Sequence, residues 1–502
     1  MANAANLGLL ALTRFGCGPR GDGDTRIAAS DPRGFLAAEL AEPGITLLEG
    51  PGLPTTAEAL KQQYAYREEQ QMARLAAPSA PSALAQVTAA AAQPQAGRPT
   101  TMPPPMAPAA QQMAPSAQPM TAAPAAPPPK PPNPGVLVYR DEALARIRRA
   151  IEVRAGFAER LVAFWSNHFC VSAAKGPVGR ITAGAFEREA IRPHVLGRFA
   201  DMLVAVESHP AMLHFLDNAQ SVGPGSRAGQ HGRRGLNENL GREIMELHTL
   251  GAGSGYTQAD VTNLARILTG WSIVGAEGRG GEPGTFIFRE NAHEPGPLQL
   301  LGRTYPDVGV AQGRAALLDI ARDPRTARFI VGKLARAFVA DAPPPALVDR
   351  LAVTFTETDG DLRAVSLALI DAPEAWDPAP SKMRSPWDVV IATNRLLGHL
   401  PEDPGQVLGP LKALGMELWS PPGPNGYPTA DAAWATPEGM KLRLDYCALV
   451  AAKLKTPPNP SELLDRLAGG APSPETRTAI ARAESREQGL ALLLMSPEMQ
   501  RS

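Results

Sequence analysis

Apolar residues recur at steps of three and four along most of the chain, and this periodicity constrains the fold more than any other feature of the sequence. A period near 3.6 places the apolar side chains of a segment on one face of a helix. The chain is therefore predicted to be all-α, with a large multi-helix domain. The segments with this pattern are residues 5–14, 31–42, 55–75, 140–172, 183–207, 210–218, 237–250, 258–272, 310–320, 324–340, 344–356, 361–371, 385–399, 404–415, 437–454, 459–467, 473–484 and 486–494.

Strand signals are few. Residues 285–290, "TFIFRE", and 298–305, "LQLLGRTY", show some alternation of apolar and polar residues, and the turn-forming "EPGP" lies between them. This pattern predicts at most one small β-hairpin near residues 285–305, in which the two segments pair with each other.

The composition changes abruptly over residues 76–135. This segment consists mainly of Pro, Ala, Gln and Met, has no aromatic residue, and carries only Arg98 and Lys130 as charges. Such a segment buries too little side chain to offset the entropy lost on ordering. The prediction is a disordered Pro/Ala-rich linker at 76–135, between an N-terminal helical segment at 1–75 and a main helical domain at 136–502.

Charge and hydropathy exclude several classes of partner. The formal net charge is -1 and 20% of residues are charged, so no nucleic acid partner is expected. No window approaches the roughly 20 uninterrupted apolar residues of a membrane span. The first residues, "MANAANLGLLALTRFG", have no basic start and only a short apolar run before Arg14, which does not match a secretory signal. We therefore expect a soluble, cytoplasmic protein without a membrane partner.

The three cysteines give no sign of a disulfide framework or a thiolate zinc site. Cys17, Cys170 and Cys447 are odd in number, far apart in sequence, and form no CxxC pair. We expect all three to be reduced and buried.

The stretch richest in side chains that can act as ligands or acid/base groups is residues 237–251, "NENLGREIMELHTLG". On a regular helix, Leu240, Ile244 and Leu247 form the buried stripe, and Asn239, Glu243 and Glu246 flank it. Glu243 and Glu246 can then share a ligand. His248 projects to the other side of the stripe, so Glu246 and His248 cannot share one.

Two interpretations of this helix remain open. Two carboxylates three residues apart hold metals in helical bundles, where a histidine from another segment completes the site. Alternatively, the same residues form a buried polar network at 237–246, with Arg242 four residues from both Glu238 and Glu246. The polar network is favoured.

The glycines that follow, in "LGAGSGYT", do not match a dinucleotide-binding fingerprint, because a helix rather than a strand precedes them. Gly251 is predicted to end the first helix in a left-handed conformation. Thr257 is predicted to cap the next helix, with Asp260 completing a capping box.

The histidines cluster, since seven of the eight lie between His168 and His293. Clustering favours a site, although each histidine taken alone has a structural explanation. The candidate catalytic residues are Asn167, His168, Asn239, Arg242, Glu243 and Glu246. The candidate metal ligands are His168, Glu243, Glu246 and His293, and the corresponding cofactor is a divalent metal ion.

Several stretches together resemble the bacterial family named domain of unknown function 1800. They are "FWSNHF" (164–169), "SHPAMLHFLDNAQS" (208–221), "NENLGREIMELHTLG" (237–251), "GYTQADVTNLARILTGW" (255–271) and "ARFIVGKLARAFVAD" (327–341). The resemblance covers nearly the full chain, with the Pro/Ala-rich segment as an insertion.

This resemblance implies no established activity. Many relatives begin with an export signal, which is not expected for this sequence. Their genes often lie beside one for a protein similar to alkaline phosphatases and sulfatases, which implies such a protein as a partner. The chain has His293 and Glu294 in "HEPG" where relatives commonly show a His-Asp-x-Gly string, and the longer Glu side chain alters any inferred metal geometry.

Two functions therefore follow from the sequence. The favoured one is a helical binding or assembly protein with its polar network at 237–246. The alternative is a metal-dependent hydrolase or oxidoreductase that uses His168, His293, Glu243 and Glu246 as ligands or acid/base groups.

Overall fold

The computed structural model describes residues 4–20, 22–76, 132–232, 234–377, 382–468 and 472–502, and it confirms the all-α prediction. The α-helices, in chain order, are α1 (Ala4–Leu10), α2 (Asp22–Ser30), α3 (Pro32–Ala41), α4 (Thr56–Ala76), α5 (Pro134–Glu152), α6 (Phe157–His168), α7 (Pro177–Phe186), α8 (Phe199–Glu207), α9 (Pro210–Phe215), α10 (Arg227–His231), α11 (Asn239–Glu243), α12 (Gln258–Ile267), α13 (Val310–Ala321), α14 (Pro324–Phe338), α15 (Pro345–Glu357), α16 (Leu362–Asp371), α17 (Pro386–Leu397), α18 (Gly405–Ala413), α19 (Asp431–Trp434), α20 (Pro437–Lys453), α21 (Pro460–Leu467), α22 (Pro474–Ala481), α23 (Arg486–Met495) and α24 (Pro497–Gln500).

Wider and tighter helical turns extend some of these helices or link them. The π-helical turns are Ala11–Phe15, Glu187–Ile191 and Ile244–His248, and the 3₁₀ turns are Ala173–Lys175, Arg192–His194, Asn218–Gln220, Glu290–Ala292 and Pro373–Trp376.

The chain divides into a large unit of residues 1–64 and 134–502 and a small unit of residues 65–133. The described part of the small unit is the second half of α4, to residue 76, and residues 132–133. Most of the predicted linker at 76–135 lies outside the described residues. Its last two residues, Pro134 and Gly135, already belong to α5.

One hydrophobic core joins nearly all helices of the large unit. At its centre, the ring of Phe157 at the start of α6 meets two other rings edge-on: that of Phe15, at 5.5 Å between centroids, and that of Phe338 at the end of α14, at 5.6 Å. All three side chains are buried, so they hold the N-terminal segment against helices far along the sequence.

The segment predicted as one helix over 140–172 is two helices, α5 and α6, because the chain turns at Gly156. Gly156 has φ 88°, a left-handed conformation that favours glycine, and an added Cβ would lie 2.7 Å from Sγ of Cys17. The buried carboxylate of Glu39 on α3 accepts hydrogen bonds from the backbone N–H groups of Ala155, Gly156 and Ala158. This carboxylate therefore anchors the beginning of α6.

The described residues contain two small antiparallel sheets. Strand β1 (Trp271–Ile273) pairs with β2 (Phe286–Phe288), and β3 (Leu298–Leu300) pairs with β4 (Arg303–Tyr305). The predicted pairing of 285–290 with 298–305 is wrong. Leu301 and Gly302 both have positive φ, which lets 298–305 form a two-residue hairpin by itself.

None of the described helices combines the length and the apolar character needed to cross a bilayer.

Candidate functional site

A cavity of about 150 Å³ opens beside α6, the end of α14, the start of α17 and residues 416–434. A dry cavity of about this volume holds a molecule the size of benzene. The aromatic side chains that line it are Phe164, Phe338, Trp387, Trp419, Tyr427 and Trp434. The cavity therefore offers a ligand several aromatic surfaces.

Four cationic side chains line the same cavity, and three of them form ion pairs. Nε of Arg146 lies 3.1 Å from Glu187, and Nη1 of Arg160 lies 3.3 Å from Asp388. The third, Lys382, is paired with Asp341 and, at 3.2 Å, with Asp431.

The fourth cation, Arg384, differs. It is only 2% exposed, and no carboxylate of the described residues lies within ion-pair distance of it. Its Nη1 donates to the backbone oxygen of Met499 at 3.1 Å, whereas Nη2 is buried without a hydrogen-bond partner. Burial lowers the pKa of Arg384 to about 10. A buried guanidinium with an unused donor is costly, so this position favours an additional acceptor.

Aromatic rings hold the other two arginines in place. The guanidinium of Arg146 lies over the ring of Trp387 at 4.4 Å, and that of Arg160 lies over the ring of Phe338 at 5.4 Å. Such stacking restricts the side chain and adds cation–π attraction. The positive charge around the cavity is thus preorganised.

A buried ion network lies behind the cavity wall. The guanidinium of Arg192 makes two hydrogen bonds of 2.9 Å to Glu159, and it lies 3.1 Å from Glu187. Glu187 also accepts hydrogen bonds from two residues that line the cavity, Ser166 at 2.8 Å and Trp419 at 3.0 Å. The network therefore fixes both residues from behind.

The predicted catalytic residue Asn167 lines the cavity, where it holds a loop in place. Its Nδ2 donates to the backbone oxygen of Tyr427 at 2.9 Å, and its Oδ1 accepts from the backbone N–H of Tyr427 at 2.8 Å. Gly426 has φ 73°, and a Cβ there would collide with the backbone oxygen of Asn167. The contacts of Asn167 with Gly426 and Tyr427 thus fix one side of the cavity.

His168, the next residue, points to a different cluster. Its Nε2 lies 3.1 Å from the backbone oxygen of His248, and its Nδ1 lies 2.8 Å from Nζ of Lys333 on α14. Nδ1 of His248 lies 2.8 Å from the fully buried carboxylate of Glu207. Burial and the nearby Lys333 place the pKa of His168 well below its ordinary value.

A model of the family described as "Protein of unknown function (DUF1800)" matches residues 10–501. The chain belongs to the DUF1800 family. No curated protein and no solved structure matches it. Membership of DUF1800 supplies no activity.

In this DUF1800 chain, the prediction of a buried polar network at 237–246 is wrong, because the polar side chains of this segment are not fully buried. Asn239 is exposed, and the side chains of Glu238, Arg242, Glu243 and Glu246 are half-buried. The buried residues are small or apolar, namely Leu240, Gly241, Ile244 and Met245.

The expected ion pairs of this helix are present in part. Arg242 lies 3.0 Å from Glu238, which also accepts hydrogen bonds from Gln258 and Thr262. No Arg242 pair with Glu246 is present among the described residues. The polar contacts of this helix thus lie at the edge of the core.

The assumption of a regular helix is also wrong, because the turn Ile244–His248 is π-helical. The wider turn brings the side chain of His248 into the core, against Glu207. Burial, together with Glu246, raises the pKa of Glu243, although His248 opposes this shift. The predicted ends of the segment are confirmed: Gly251 has φ 87°, and Thr257 forms a capping box with Asp260.

The structure does not bring the four predicted metal ligands of the DUF1800 chain into one group. Nδ1 of His293 lies 2.9 Å from the backbone oxygen of Thr269, and Nε2 lies 3.7 Å from Asp307. The partners of His168 are different residues, His248 and Lys333. Within the described ranges, no three His, Cys, Asp or Glu side chains are arranged to hold a metal ion.

Sequence reasoning missed the cationic wall of the DUF1800 cavity. Arg146 and Arg160 lie far along the chain from Lys382 and Arg384, and no spacing marks the four cations as a set. Burial of Arg384 is visible only in the folded chain. The cysteine prediction is confirmed, since Cys17, Cys170 and Cys447 are free and buried.

Proposed function

We propose that this protein binds a small organic anion in its cavity, with one carboxylate on an apolar body about the size of a benzene ring. The observation that carries this proposal is Arg384, a buried guanidinium that lines the cavity without an ion-pair partner among the described residues. A guanidinium forms its strongest hydrogen bonds with a carboxylate.

The pairing of the cations that line the cavity supports an anion over a neutral ligand. Arg146, Arg160 and Lys382 already have carboxylate partners, whereas Arg384 has none within the described part of the chain. An anionic ligand would supply that partner. It would also remove part of the free energy cost of an unpaired buried charge.

The size and lining of the cavity support an apolar body. The volume of about 150 Å³ suits a single ring or a short chain, and the rings of Phe164, Trp387 and Trp419 offer it offset or edge-on contacts. Binding in such a site needs little rearrangement, because Asn167 and Glu187 already hold two sides of the wall.

The proposal is a specific form of the favoured binding function. A protein similar to alkaline phosphatases and sulfatases stays a predicted partner, and the metal-dependent hydrolase or oxidoreductase stays the alternative. The contacts of the cavity favour the binding function because they provide a cation and apolar surface.

Thermal unfolding and calorimetric titration with benzoate test the proposal. Benzoate is expected to raise the Tm, since a ligand that binds only the folded state stabilises it by about 2.7 kcal/mol at a hundredfold excess over Kd. Benzyl alcohol, which has the same ring without the charge, is expected to bind more weakly. A panel of monocarboxylates without any Tm shift or binding heat would contradict the proposal.

Two variants localise the effect. Ala163 on α6 is half-buried and lines the cavity, so Ala163→Leu is expected to fill it and abolish the benzoate effect. Ala448→Leu, on the exposed face of α20, is the matched control and is expected to leave binding unchanged. Arg384→Gln is expected to reduce the preference for benzoate over benzyl alcohol, by about 1.5–3 kcal/mol for a charged hydrogen bond.

A further inference from the structure

We propose that Lys333 is a reactive amine that condenses with small aldehydes, with His168 as its hydrogen-bond partner. This inference goes beyond the proposed binding function, because it involves another group and a covalent product. A lysine amine forms imines with carbonyl compounds when it is desolvated or lies near another cation.

The surroundings of Lys333 match that description. The side chain is half-buried on α14, and its Nζ lies 5.4 Å from the ring centre of Phe329. No carboxylate of the described residues lies within ion-pair distance of it. Burial first, and the nearby Arg336 next, lower the pKa of Lys333 to about 8, although Cys170 opposes this shift.

The hydrogen bonds of His168 define the role of the imidazole. Its Nε2 faces the backbone oxygen of His248, and a carbonyl oxygen only accepts, so Nε2 carries the proton. In the neutral imidazole, Nδ1 then has a free lone pair and accepts a hydrogen bond from Nζ of Lys333. Because His168 stays neutral, it supplies no negative charge to stabilise the ammonium form of Lys333.

This arrangement suits the amine in both of its charge states. The ammonium form of Lys333 donates one N–H to Nδ1 of His168, and so does the neutral amine, which keeps its lone pair for attack. The titratable and charged groups that act on the pair are His248, Cys170 and Arg336. The carboxylate of Glu207 lies beyond His248, 2.8 Å from its Nδ1, rather than beside the amine.

The proposed reaction balances without a further reactant. The lone pair of Nζ attacks the carbonyl carbon of the aldehyde, and a proton moves from nitrogen to oxygen to give a carbinolamine. The hydroxyl group then leaves as water, so amine and aldehyde give an imine and one water molecule. When the imine is protonated, its N–H again donates to Nδ1 of His168, which stabilises the product.

Reductive trapping on the folded full-length chain tests the inference. The protein is treated briefly with propanal and cyanoborohydride at neutral pH, which converts the iminium ion to an N-propyl amine, and each lysine is quantified by peptide mass spectrometry. Lys333 is expected to react at least about tenfold faster than the exposed Lys453, because its half-buried amine has no carboxylate partner among the described residues and donates to a neutral imidazole. In concentrated urea, this difference is expected to disappear.

Equal rates at Lys333 and Lys453 in the folded protein would overturn the inference. Lys333→Arg removes the fast-labelled site, and Lys453→Arg is the matched control that retains it. The wild-type comparison needs no variant, so the test holds even if a substitution destabilises the fold. Binding of benzoate is read out separately, so failure of one proposal is distinguishable from failure of the other.

Discussion

Asn167 and Tyr427 exchange two hydrogen bonds, one in each direction, between a side-chain amide and a backbone peptide group. The loop around Tyr427 thereby gains a fixed position without any regular secondary structure. The close approach requires a residue without a side chain at Gly426, whose φ is 73°.

Gly426→Ala is therefore expected to destabilise the protein more than Gly253→Ala. Both glycines have φ 73°, so each substitution costs about 1–2 kcal/mol for a left-handed alanine. An added Cβ at Gly253 meets open space, whereas one at Gly426 collides with Asn167, which adds about 1–3 kcal/mol. Urea unfolding measures both values. Equal losses in the two variants would show that the contact with Asn167 costs nothing.

The buried ion network is expected to be sensitive to the loss of its cation. Arg192→Met leaves Glu159 and Glu187 buried with fewer partners, and this should cost about 3–5 kcal/mol. Arg328→Met, which breaks an exposed pair with Asp349, is the control and should cost less than about 1 kcal/mol. The free energies of unfolding in urea give the loss of stability in both variants. Arg192→Lys keeps the positive charge but loses the two guanidinium nitrogens that bond Glu159. Its loss of stability is expected to lie between those of the other two variants.

The stability of the protein is expected to fall in acid partly through Glu187. Burial would raise the pKa of this carboxyl, but Arg146, Arg192 and two hydrogen bonds outweigh burial, so its pKa lies below the ordinary value. A group with a depressed pKa in the folded state contributes its full stability above the unfolded pKa, about 4.3 for Glu. That contribution is lost as the pH falls through the lower, folded pKa.

Glu187→Gln tests this assignment. The variant is expected to be less stable than the wild type at neutral pH and to lose less stability on acidification. Glu487→Gln, at an exposed position on α23, is expected to follow the wild-type curve. Urea unfolding across the acidic range supplies the comparison. Parallel curves for the wild type and Glu187→Gln would assign the acid sensitivity to other groups.

The sequence predicted the helices well because each buries one apolar face, and that periodicity is local. It failed where a non-local contact decides the structure. The chain turns at Gly156, where Glu39, far away in sequence, accepts hydrogen bonds from the buried backbone N–H groups of Ala155, Gly156 and Ala158. Phe286–Phe288 pairs with a strand upstream rather than downstream, and no local pattern distinguishes these two choices.

The candidate site was predicted only in part, for the same physical reason. Asn167 was among the candidate catalytic residues, and it does line the cavity. Arg384 was missed, since an arginine in a sequence gives no sign of burial. Lys333 was missed as well, because its partner His168 belongs to a distant helix.

Asn167 and His168 are consecutive in the last turn of α6, yet one side chain meets the loop around Tyr427 and the other meets Lys333. A displacement of this single turn changes both neighbourhoods at once. A ligand that shifts this turn from one place would therefore change the affinity at the other, and the effect would be the same in both directions.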